Sequence, residues 1–203
     1  MPCLRADGNR PAGGQAASRG PVWGMTPETA LEPWLLTSER LGFRTWTDAD
    51  VDHALTLFAD PRVTRLIDSR DQLSADDVRQ RIDGEMASQR ENGFQYWPVF
   101  LAESGEFVGC CGIKPFHGVP DGRMVGYYLR PEHWGRGLAS EAARAVVDYA
   151  FGRLGLSVLY AGHHPENDAS GAVLRKLGFA DFGEELFAGT GVMHPLYVLE
   201  RPA

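Results

Sequence analysis

Cysteine is scarce. Cys3, Cys110 and Cys111 are the three among 203 residues. The number is odd, two are adjacent, and no Cys-x-x-Cys or Cys/His ligand spacing occurs. Neither a disulfide framework nor a structural metal is therefore expected, and a reducing compartment is the simplest reading. Cys110 and Cys111 stand in an apolar run, where strand geometry sends neighbours to opposite faces, so both read as small core hydrophobes. A surplus of positive charge is also missing. Twenty Lys and Arg face 27 Asp and Glu, giving a formal charge of −7, so a general nucleic-acid surface is not expected; the acidity serves solubility first. No stretch approaches the roughly 18 apolar residues of a bilayer span. The N-terminus lacks the apolar run of about 7–15 residues that marks a secretory signal. No membrane partner and a cytoplasmic location are the expectation.

What is present is an ordinary globular composition, 43% apolar and 23% charged. A single core at this length buries roughly two-thirds of the unfolded chain's surface. Residues 1–24 are half Gly, Pro and Ala without a period, which predicts a flexible N-terminal extension over residues 1–33 and one domain over residues 34–203. Met25 is a second candidate start. No internal repeat is found.

The patterning predicts a first strand at Arg40–Trp46. Thr47-Asp-Ala-Asp50 resembles a capping box opening a helix to about Phe58, which Asp60-Pro61 breaks. Ser74-Ala-Asp-Asp77 caps a second helix to about Glu91. Phe94–Glu103 and Phe107–Phe116 read as a hairpin across Glu103-Ser-Gly-Glu106, and Val119-Pro-Asp-Gly122 turns the chain into a fourth strand, Arg123–Arg130. Ala139, Ala142, Ala143, Val146, Val147, Ala150, Phe151 and Leu154 form the strongest helical stripe, stopped by Gly155. A strand at Ser157–Gly162, a helix at Asp168–Leu177 closed by Gly178, and a final hairpin of Phe179–Phe187 with Val192–Glu200 follow. This order predicts a mixed α/β fold, a central sheet of about seven strands with helices on both faces.

The most informative segment is Tyr127-Tyr-Leu-Arg-Pro-Glu-His-Trp-Gly-Arg-Gly-Leu-Ala-Ser-Glu141, a strand that bends at Pro131 and enters a helix through a Gly-rich turn. Exposed N–H groups at a helix N-terminus, with the macrodipole behind them, make an anion site. Gly135 and Gly137 let backbone approach a phosphate closely, and Arg136 adds a charge-assisted donor. A plain Gly-rich strand–helix turn is the alternative. Two other phosphate motifs fail. Gly-x-Gly-x-x-Gly lands on Ser140, with no acidic residue near Tyr160 to hold a ribose, and Gly-Lys-Ser/Thr occurs nowhere. A nucleotide-binding oxidoreductase is thereby set aside.

Trp134-Gly-Arg-Gly-Leu-Ala139 resembles the Gln/Arg-x-x-Gly-x-Gly/Ala turn of the GNAT N-acetyltransferase superfamily, with Trp in the first position. That form is typical of the branch resembling ribosomal-protein N-terminal (RimJ/RimL-type) acetyltransferases. Some 30 residues on, Asn167-Asp-Ala-Ser170 with Lys176-Leu-Gly-Phe179 resembles the second family block. Arg40–Trp46, Asp48–Asp50, Asp60-Pro-Arg-Val63 and Phe107-Val-Gly-Cys110 also fit, so the resemblance spans residues 37–200.

The resemblance implies acetyl-CoA as cosubstrate, no metal, and a primary amine acceptor, either a peptide N-terminus or a small amine. It implies a splayed V between the fourth and fifth strands. Backbone near Tyr128, Leu129 and Arg130 would pair with the pantetheine arm and supply an oxyanion donor. Amides from Trp134, Gly135, Arg136, Gly137, Leu138, Ala139 and Ser140 would grip the pyrophosphate. Asn167 is either a helix cap or a hydrogen-bonding group across the cleft. Ser170, one turn on, also counts as a coenzyme contact. Many family members carry a Tyr seven residues after the Asn; here that position is Leu174, which cannot donate a proton. Ser170 is the expected substitute acid. For the base, His163, His164, Glu132 and His133 all stand beside the expected cleft, with His164 the first choice; water also suffices for an α-amine of pKa near ~8. Tyr127, Tyr128, Phe94, Tyr96 and Trp97 are candidates to line the acceptor side, or are core. Members of the fold often pair as homodimers, though no decisive patch is seen. A non-catalytic acyl-CoA-binding module is the competing reading, kept open by Leu174.

Overall fold

The computed structural model describes residues 34–70 and 72–202; the expected extension over residues 1–33 lies outside them. A sheet of eight strands forms in the order β1-β2-β3-β4-β5-β6-β8-β7. The strands are β1 (Leu36–Thr37), β2 (Leu41–Phe43), β3 (Tyr96–Leu101), β4 (Phe107–Phe116), β5 (Gly122–Leu129), β6 (Val158–Gly162), β7 (Ala180–Phe187) and β8 (Val192–Glu200). The helices are α1 (Val51–Phe58), α2 (Pro61–Thr64), α3 (Ala75–Asn92), α4 (Leu138–Gly152) and α5 (Asp168–Leu177). All pairs are antiparallel except β5 with β6.

The sheet has one strand more than the expected seven. The extra one is the two-residue β1, registered Leu36 to Phe43, too short to leave a period in the sequence. The first strand of the sequence reading also shrinks to β2. Beyond Phe43 the side chains pull the backbone out of the ladder: Arg44 forks onto Asp50 at 2.6 and 2.7 Å, and Trp46 Nε1 donates to Tyr96 O at 2.6 Å. Thr47 N and Oγ1 donate to the Asp50 carboxylate at 2.9 and 2.7 Å, so the expected capping box forms, with a 3-10 turn at Asp48–Asp50 leading into α1. Ser74 and Asp77 form the second box.

Alternation along β4 splits the core. Cys111 and Ile113 join the cluster under α4 and α5 and Cys110 the one under α1 and α3, while the register shift between Phe107 and Gly109 brings Phe107 to the same face as Cys110. Both thiols are buried and unpaired, and burial pushes Cys110 up to about 12. Ala142, Ala143, Val146, Val147 and Ala150 of the α4 stripe are buried as expected.

β5 and β6 share one rung, Met124 with Tyr160. Beyond it both strands run on without pairing to each other, to Leu129 and to Gly162. This is the expected V, and it opens at the C-terminal ends of two parallel strands, the usual ligand crevice of a sheet with parallel neighbours.

Candidate active site

The strand–helix turn is built to leave amides free. Gly135 and Gly137 have φ of 71° and 76°, left-handed values that cost an L-residue roughly 1–2 kcal/mol. Gly137 is the N-cap of α4, and the first bond into the helix is Glu141 N to Gly137 O at 3.1 Å. Among the described residues no protein acceptor takes the N–H groups of Gly135 through Ser140. Six successive donors around a helix N-terminus suit a diphosphate. The space where a Cβ would stand on Gly135 is open, and on Gly137 it meets only Arg40 Nη2 at 3.8 Å. The residues present therefore fit the coenzyme's pyrophosphate.

The turn is braced from both sides. Trp134, in the position that departs from the family pattern, is 49% exposed, yet its Nε1 donates to Leu129 O at 2.8 Å and ties the turn to the end of β5. Arg40 donates to Arg136 O at 3.2 Å and pairs with Glu141 at 2.6 Å, while Glu141 also accepts from Ser38 Oγ and Arg40 N at 2.7 Å. Burial opposes ionisation of Glu141, but the Ser38 and Arg40 donors outweigh it and hold the carboxyl below its usual range. The Arg136 side chain donates to His133 Nδ1 at 3.1 Å. His133 is 2% exposed, with Glu106 at 3.3 Å from Nε2. It props the turn from below and does not face the gap.

Register decides which β5 amides face the V. Arg130 N donates to Val108 O at 2.9 Å, and β4 and β5 pair without a break from Gly109–Leu129 to Phe116–Gly122. Antiparallel alternation then sends the amides of Tyr128 and Arg130 to β4, and those of Tyr127 and Leu129 into the gap. The Arg130 side chain is likewise engaged, with Phe107 O at 3.1 Å and Glu132 at 3.6 Å. Of the three expected positions only Leu129 turns its amide into the gap, and Tyr127 turns its own there too.

At the mouth of the V, Asn167 caps α5, its Oδ1 accepting from Ser170 N at 3.1 Å. Ser170 Oγ lies 2.9 Å from the Tyr127 hydroxyl, which also donates to Ser170 O at 3.1 Å. The sequence reading treated Tyr127 only as lining. Its pairing with Ser170, 43 positions away, has no local signal. Burial drives the Tyr127 phenol well above its ordinary range, against the Ser170 hydrogen bond. Leu174 is 1% exposed and belongs to the core.

The histidines turn to one another. His163 Nδ1 is 2.8 Å from His164 O and Nε2 is 3.1 Å from the Tyr197 hydroxyl. His164 Nδ1 accepts from Glu166 N at 3.2 Å, and its ring lies edge-on to His194, centroids 5.4 Å apart. Glu132 is exposed and bound to Arg62 at 3.3 Å. The β7–β8 turn meets the chain after α2 through Ser69 N to Gly189 O at 2.8 Å.

Sheet, gap and amide-lined turn define an acyltransferase. The family model for the acetyltransferase (GNAT) domain matches residues 40–180. The uncharacterized N-acetyltransferase YoaA of Bacillus subtilis is 32% identical over 149 residues, 73% of this chain and 84% of that protein. The crystal structure of an acetyltransferase from Agrobacterium tumefaciens is similar with a TM-score of 0.70 at 27% identity, covering 82% of this chain and 94% of that one. Mycobacterium smegmatis RimJ in complex with CoA-disulfide shares the fold, with a TM-score of 0.67 at 23% identity over 79% of this chain and 81% of that one. The chain belongs to the GNAT acetyltransferase family.

Proposed function

We propose that the protein transfers an acetyl group from acetyl-CoA to a primary amine, a protein N-terminal α-amine or a small-molecule amine, by direct attack in a ternary complex. Bound acetyl-CoA supplies the activated thioester. The run of free amides from Gly135 to Ser140, opening toward the gap between β5 and β6, is the observation that carries this reading. The Tyr127 and Leu129 amides point at the arm and offer an N–H to the oxygen that gains charge. Positioning of this kind is worth up to ~7–11 kcal/mol in well-oriented systems.

Ser170 donates the proton to the departing sulfur and regains one from solvent, while the Tyr127 hydroxyl beside it holds Oγ in place. Asn167 fixes Ser170 through the cap. The acceptor's proton goes to water when its pKa is near ~8. His164 takes that part only after releasing the Glu166 N–H, because the other ring nitrogen of the neutral side chain carries its proton.

A thiol-release assay with a panel of amines and peptides tests the reading. Release that depends on the amine supports it. Coenzyme A binding without release by any acceptor makes the protein an acyl-CoA-binding module instead.

A further inference from the structure

The face of the sheet under α1 and α3 carries a cation that the coenzyme does not use. Arg81 of α3 lies over two adjoining rings, 4.3 Å from the Phe58 centroid and 5.3 Å from that of Tyr128, the rings themselves meeting edge to face at 5.8 Å. It is partly accessible. Among the described residues its guanidinium has no hydrogen bond and no carboxylate within ion-pair distance. Glu85, one turn further along the same helix, attracts it through space but makes no contact with it. That carboxylate accepts from Tyr96 N at 2.8 Å and binds Lys114 Nζ at 2.7 Å. Arg81, Lys114 and Glu85 together leave one positive charge. A guanidinium stacked on aromatic faces keeps its planar fork of N–H donors in the ring plane direction, where a carboxylate fits in bidentate fashion.

The position matters as much as the charge. Tyr128 is flanked in sequence by the two residues whose amides enter the gap, and its ring stands on the α1/α3 face. The Ser170–Tyr127 pair and the N-terminus of α4 stand on the other face. An amine that adds to the face of the thioester carbonyl turned away from the Ser170–Tyr127 pair therefore arrives beside Tyr128 and Arg81. We infer that Arg81 is a specificity-determining residue that binds a carboxylate placed a few bonds from the reacting amine of the acceptor. This deepens, and rests on, the acetyltransferase reading above. The carboxylate has two sources, the α-carboxylate of a free amino acid or the side chain of an acidic N-terminal residue on a peptide.

Matched acceptors test this in the thiol-release assay. One pair is a free amino acid and its amide; another is a C-terminally amidated peptide beginning with Glu and the same peptide beginning with Gln; spermidine is the cationic control. The carboxylate-bearing member of at least one pair is expected to exceed its neutral partner by roughly ten- to a hundredfold in kcat/KM, the scale of a charged hydrogen-bonded contact, and the pair that responds identifies the source. Arg81→Gln brings that ratio to about one with the KM for acetyl-CoA unchanged. Arg81→Lys, which keeps the charge and much of the packing, retains part of it. Stacking that is merely structural would not move the ratio. Equal rates within both pairs of the wild-type protein, a preference for spermidine, or a ratio that survives Arg81→Lys and Arg81→Gln overturns the inference and leaves the acetyltransferase reading standing. Absence of release with every acceptor overturns that reading itself.

Discussion

Replacing Gly137 by Ala asks an L-residue to hold a φ of 76°. The new methyl meets only the end of the Arg40 side chain, at an ordinary 3.8 Å, so the folding cost is conformational alone, roughly 1–2 kcal/mol. For a domain of this size that lowers Tm by about 2–8 °C. Gly135→Ala, at φ 71° with nothing within reach, costs the same. The two methyls also stand over the free amides, where a diphosphate must approach, so coenzyme A affinity is expected to fall at least tenfold, while pantetheine, which lacks the diphosphate, binds as before. A ligand present at about a hundred times its Kd stabilises the native state by roughly 2.7 kcal/mol, and a tenfold loss of affinity cuts this to about 1.4. Thermal unfolding with and without coenzyme A, beside a calorimetric titration of each ligand, reads both effects. If the ligand-free Tm drops as calculated but the coenzyme-induced shift stays whole, the amide run is not the phosphate site and the argument built on it fails.

Ser170→Ala is expected to lower kcat more than it raises the KM for acetyl-CoA, and Tyr127→Phe to act in the same direction; because the two hydroxyls lie 2.9 Å apart, the double variant should lose less than the product of the single losses, and strict multiplicativity would separate their roles. Leu174→Ala opens a hole in the core between α4 and α5 and should cost about 2–5 kcal/mol in urea unfolding. Burial, with His164 and His163 nearby, lowers the His194 pKa to about 4. The unfolded chain then binds the extra proton first, so this contribution to stability is complete above about pH 6.5 and fades as the pH falls toward 4; His194→Gln should flatten that part of the profile, and an unchanged slope would assign it to other groups.

Much of the fold follows from local signals. Asp168–Leu177 and Phe107–Phe116 form with the ends that their caps and turns mark, because Asn167, Gly178 and the Glu103–Glu106 turn each act within a few residues. The free amides are legible for the same reason, since two glycines and a helix start lie within six positions. What escapes is long-range. Arg40 meets Glu141 across 101 positions and Tyr127 meets Ser170 across 43; periodicity tells which face a side chain takes, not what waits there. Arg81 reads in the sequence as one more charge on a polar helix, and only the fold brings Phe58 and Tyr128 together beneath it. The β6-β8-β7 order is likewise hidden, because a hairpin's pattern does not say which of its strands joins the sheet.

The lone rung between Met124 and Tyr160 makes the sheet two plates riveted at one point, five strands on one flank and three on the other. On the proposed reading, a slender amide-bearing arm laid in the slot would take the part of a missing strand and stiffen the joint. Cosubstrate entry would then also complete the sheet, and the two walls that must align for group transfer would be locked together by the molecule that is to be cleaved.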